Sequence, residues 1–140
     1  MSTVLWAHHL AGQACLSDET DLPALYRDLD RLDRICVSLA VTPLSEMVDH
    51  TDAQVNMDAL DLPAEMPSTT ELMVRDGRWI GSDAAIDTLE RLHRHLTEAA
   101  PRIGMMRDRR PQILAELEGS LRFARTHRAG GTKFNFTVVM

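Results

Sequence analysis

The closing stretch Lys133–Met140, KFNFTVVM, constrains the fold more than any other part of the chain. It alternates Phe134, Phe136 and Val138 on one side with Asn135, Thr137 and Val139 on the other. That is the two-residue period of a β-strand, built almost wholly from β-branched and aromatic residues. So apolar a strand frays or aggregates unless neighbours pair with it, so it is expected inside a sheet. Thr3–Leu10 has the same period, with Val4, Trp6 and His8 on one side and Leu5, Ala7 and His9 on the other. The two ends are therefore expected to pair, with Trp6 beside Phe134 or Phe136.

The connecting segments read mostly as helices. Gly12-Gln13 offers a turn, after which Ala14–Leu16 returns as a short strand. Asp18–Asp21 and Pro23 mark a helix start, and Leu22, Leu25, Leu29, Leu32, Cys36 and Leu39 make its apolar stripe. Glu71–Ile80 reads as a second hairpin around Asp76-Gly77, a dipeptide suited to a type I′ turn. Two more helices follow, from about Asp83 with Ile86, Leu89, His93 and Leu96 as its apolar stripe, flanked by Ala85 and Leu92, and from about Arg110 to His127. The fold class is α+β: one domain over 1–140, with a small antiparallel sheet including both chain ends packed against three main helices.

At 140 residues the chain is long enough to bury a core without metal or disulfide support. Cys15 and Cys36 belong to no CxxC pair and are read as reduced thiols. No run approaches the roughly 18 apolar residues of a membrane helix, and residues 1–15 lack the pattern of a signal peptide. A cytoplasmic location is expected, with no membrane partner.

Charge is polarised along the chain. From Leu44 to Val74 there are seven acids and no Lys or Arg, whereas Pro101–Lys133 holds eight basic residues against three acids. The plainest expectation is that these segments neutralise one another, within a chain or across a dimer. A net charge of −6 argues against nucleic acid as a partner. The irregular part of the acidic segment, about 44–70, is the longest stretch without clear periodicity, and such segments often carry sites.

Nucleotide-loop, HExxH, GxSxG and paired CxxC patterns are missing, so no cofactor and no catalytic residue is assigned. Glu90 and His93 form a single ExxH pair, where a helical di-metal bundle needs two. Asp49, His50 and Asp52 are candidate ligands for a divalent ion, because hard oxygens and an imidazole stand close together without nearby cations. Asp58, Asp61 and Glu65, with the adaptable Met57 and Met66, are candidates for a partner-binding surface. Trp6 and Trp79 are candidates for lining a ligand pocket between sheet and helices.

DGRWIGSDAAIDTLERLHRHL, the helix after it and the closing KFNFTVVM together resemble a layout found in small bacterial proteins of unknown function, some of which occur where toxin-immunity or adaptor proteins do. The resemblance implies a bacterial cytoplasmic protein that acts by binding, and implies no catalytic residues. Three readings stand. The first is a non-enzymatic interaction module, adaptor or immunity-like, homodimeric, that engages a protein partner through its acidic segment. The second is a small metal-dependent enzyme or metal-binding protein using Asp49, His50 and Asp52. The third is a small-ligand carrier.

Overall fold

The computed structural model describes residues 3–140. Its sheet runs β2 (Ala14–Leu22), β1 (Val4–Ala11), β5 (Lys133–Val139) and β3 (Val48–Asp49), with β4 (Ile80–Gly81) also on β5. As expected, the closing strand is internal and lies antiparallel to the opening one. The pairing is antiparallel throughout except at β3, which meets β5 in parallel through Val48↔Phe136 and Asp49↔Thr137. The helices are α1 (Pro23–Arg27), α2 (Leu29–Ser38), α3 (Thr51–Asn56), α4 (Thr69–Asp76), α5 (Ser82–Glu98) and α6 (Arg110–His127), with a 3₁₀ turn at Leu44–Met47.

The alternation read from sequence sets the two faces of the sheet. Leu5, Ala7, Phe134, Phe136 and Val138 point into one apolar core with Leu25 and Leu32 of α1 and α2, Leu89, Leu92 and Leu96 of α5, and Ile113 and Leu117 of α6. The opposite rows, Trp6 and His8 of β1 and Asn135 and Thr137 of β5, face α4. Trp6 lies across from Thr137, so the expected pairing with Phe134 or Phe136 is overturned: the phenylalanines stand on the other face. They pack edge-on against each other instead, with ring centroids 5.1 Å apart.

Four local readings are corrected. The return strand continues to Leu22, so Asp18–Asp21 lies in β2 and does not start a helix. The first long helix breaks at Asp28, a buried carboxylate that the sequence stripe does not reveal. The second hairpin is half helix: Glu71–Asp76 belongs to α4, and only Ile80–Gly81 pairs as a strand. Ser68 accepts a hydrogen bond from Glu71 N at 3.4 Å, an S-x-x-E start that outweighs the Asp-Gly signal. Gly77 ends α4 with φ −74°, so no positive-φ turn forms there. In α5 the buried stripe centres on Ala85, Leu89, Leu92 and Leu96, leaving Ile86 and His93 at its margin.

Candidate functional site

Polar residues in the inner rows of a sheet are costly unless they find partners. Here three sit side by side on β1 and β5: His8, Asn135 and Thr137 are all buried. Thr137 Oγ1 lies 3.0 Å from His8 Nδ1 and 3.0 Å from the Met73 sulfur of α4. Asn135 donates from Nδ2 to the Arg78 carbonyl at 2.9 Å, tying β5 to the link between α4 and β4. Burial pushes the His8 imidazole down to about 4, against the opposing pull of the Asp49 charge, so the ring is neutral at pH 7.

His8 and Thr137 of this row floor a cleft of about 310 Å³. Strand β2 adds Ser17 and Glu19, since Ser17 is the cross-strand partner of His8 and alternation keeps the two on one face. Helix α4 adds Thr69, Thr70 and Met73, and α3 adds Asp52. Thr69 Oγ1 donates to Asp52 Oδ1 at 2.6 Å and Asn56 Nδ2 donates to Oδ2 at 3.1 Å, so this carboxylate bridges α3 and α4 at the cleft wall. Trp6 forms another wall, and its indole N–H is held by Asp21 Oδ1 at 2.8 Å. The lining includes two carboxylates, several hydroxyls and an indole, and no Lys or Arg.

The candidates named from sequence part company. Trp6 lines the cleft, whereas Trp79 is not part of its lining and donates to the carbonyl of Met73 at 3.0 Å. Asp52 lines this cleft, while Asp49 and His50 line a different one with Thr51 and Gln54 of α3. Asp49 is buried and accepts from Thr51 N, Thr51 Oγ1 and Arg78 N at 3.0, 3.1 and 2.8 Å. Its oxygens thus start α3 and anchor the chain after Gly77. Among the described residues no three His, Cys, Asp or Glu side chains gather as a metal site would require. Glu90 and His93 each pair with α6, through Arg125 at 2.9 Å and Glu118 at 3.2 Å.

Met57, Asp58, Asp61 and Glu65 are exposed between α3 and α4, and Met66 is half-buried there. Among the described residues no ion pair joins the acidic 44–74 segment to the basic 101–133 segment, against the expected neutralisation within the chain. The basic segment pairs instead with Asp28, Asp83 and Glu90, and with its own Asp108.

Sequence reasoning missed Ser17, Glu19, Thr69, Thr70, His8 and Thr137. The alternation of Cys15, Ser17 and Glu19 with Leu16, Asp18 and Thr20 pointed to the first two, and the Ser68–Glu71 helix start to the next. Nothing in the sequence signals that His8 and Thr137 meet. Among the described residues no helix is long and apolar enough to cross a membrane. In comparisons with known proteins, no family model, no curated protein and no solved structure matches this chain.

Proposed function

We propose that this chain is a non-catalytic binding protein that holds a small, neutral or cationic, hydrogen-bonding molecule in the cleft over His8 and Thr137. The buried polar row carries this reading: His8, Asn135 and Thr137 occupy sheet positions where apolar residues pack better, and His8 and Thr137 floor an open cleft. The cleft lies at the small end of the roughly 300–1,000 Å³ usual for ligand sites. Glu19 and Asp52 without a lining cation favour a ligand that donates hydrogen bonds or carries positive charge, and the Trp6 ring suits either. Binding is favoured over catalysis because an imidazole near 4 is a poor proton acceptor at neutral pH, which leaves Ser17 without an effective base.

A thermal-shift screen with small amines, polyols and amides tests this. A true ligand at a hundred times its Kd stabilises the fold by about 2.7 kcal/mol, and Trp6→Ala should erase the shift. A shift that persists in Trp6→Ala, or none from any compound, contradicts it.

A second reading is supported by the exposed acidic segment. With Asp58, Asp61 and Glu65 making no ion pair among the described residues, the segment retains its charge for a basic protein partner, and Met57 and Met66 supply adaptable contacts. Partner capture with wild type and with Asp58→Lys, Asp61→Lys decides it: loss of a stoichiometric partner in the variant supports the reading, and capture unchanged by the reversals removes it.

A further inference from the structure

Residues 99–109 link α5 to α6 and display Met105 and Met106, 95% and 98% exposed. Adjacent large apolar side chains left so completely in water mark a surface that something covers. The link is tightly built. Arg102 donates from Nε to the Gly104 carbonyl and from Nη2 to the Met105 carbonyl, both at 3.1 Å. Ile103 is fully buried, its N–H donates to Asp108 Oδ1 at 3.0 Å, and its carbonyl accepts from Arg109 N at 2.7 Å. Gly104 has φ +107°, a conformation that suits glycine alone. A preset turn thus carries two methionines between Arg102 and the exposed Arg107, and little ordering remains to be done on association.

The complementary surface is on the same chain. In the 57–68 link between α3 and α4, residues 57–65 present Met57, 58% exposed, and Leu60, 39% exposed, among Asp58, Asp61 and Glu65. Helix α4 covers the sheet face opposite to α5 and α6, and among the described residues no ion pair connects the two links. Each is apolar at its centre, and their charges are opposite.

We propose that the Met105–Met106 turn of one copy docks on the acidic 57–65 segment of a second copy, with Arg107 facing Asp58 and Asp61. This rests on reading the acidic segment as a contact surface. Two copies that exchange both contacts close a two-fold dimer, and the charge contribution makes assembly weaken with salt.

Sedimentation velocity over a concentration series, at low and high salt, reads this directly. Wild type should self-associate, more tightly at low salt. Met105→Glu with Met106→Glu, and separately Asp58→Lys with Asp61→Lys, should each weaken association by roughly tenfold or more without changing the thermal melt. Arg107→Glu and Asp61→Arg should each weaken it, and combined should restore it. A chain that stays monomeric overturns the proposal, and the acidic-segment reading is then decided by partner capture alone. Association weakened by the methionine pair but not by the acidic pair overturns the proposal and leaves the acidic-segment reading to partner capture. Binding of a monomeric chain to phosphatidylglycerol vesicles, lost with the methionine pair, overturns the proposal by assigning the turn to an anionic surface.

Discussion

Arg109 holds Asp28 with two hydrogen bonds, from Nε to Oδ2 at 2.8 Å and from Nη2 to Oδ1 at 2.5 Å. The contact ties the start of α6 to the one-residue break between α1 and α2, and Asp28 is buried in it. A forked guanidinium matches a carboxylate in a way that an ammonium cannot. Arg109→Lys should therefore lower the melting temperature, and Asp28→Ala should lower it more by leaving the cation without its partner. In a double-mutant cycle measured by urea unfolding the two losses should not add; additive losses would mean that the pair is incidental.

Gly77 sits where two segments meet. A Cβ there would lie 2.5 Å from the Met73 carbonyl and 2.8 Å from Asp49 Oδ1, against backbone and against a carboxylate already bonded to Arg78 N. Gly77→Ala should cost on the order of 1–3 kcal/mol in urea unfolding, because neither neighbour has room to yield. Gly119 has no such neighbour, so Gly119→Ala, inside α6, should be neutral or stabilising.

Stability should fall between about pH 6.5 and pH 4. His8 is held neutral when folded, with its pKa lowered by burial to about 4, and the unfolded chain takes up a proton near 6.5. Its contribution is present above 6.5 and lost as pH drops through the folded value, on the order of 3 kcal/mol in all. His9, also lowered by burial, acts in the same direction. Glu116 acts oppositely: burial raises it, so its part favours the fold at low pH and fades as pH rises through its folded value. Asp76, Asp83 and Asp108, all lowered by hydrogen bonds, add their losses only below 3.8. Urea midpoints at pH 7 and pH 5 separate the histidine contribution, and His8→Gln should flatten that interval.

The two thiols should differ. Cys36 is fully buried and its thiol is pushed up to about 11 by burial, whereas Cys15 is half-buried on β2. Ellman's reagent at pH 8 should titrate Cys15 slowly in the native protein and reach Cys36 only on unfolding. Equal rates at both positions would contradict the packing of α2.

Sequence period made the end strands, α5 and α6 legible, because each buries one regular row: Phe134, Phe136 and Val138, or Leu89, Leu92 and Leu96. It failed where a tertiary contact decides the backbone. Asp28 breaks a continuous stripe because Arg109 is there to receive it, and Asp76-Gly77 closes a helix because Asp49 captures the next amide. The cleft was half legible. Trp6 and Asp52 stood out by chemistry, but His8 and Thr137 come together only through the register of β1 against β5.

The most direct measurement is a nitrogen-15 NMR titration with small amines, polyols and amides, read at the two indole N–H signals. Trp6 Nε1–H, held by Asp21, should shift in a saturable way together with the amides of His8 and Thr137, while Trp79 Nε1–H, whose ring is not part of the lining and which is bonded to the Met73 carbonyl, stays in place. If no compound moves Trp6, or if saturable shifts gather around Trp79 and leave the sheet face unchanged, the cleft is not a ligand site and the central claim fails.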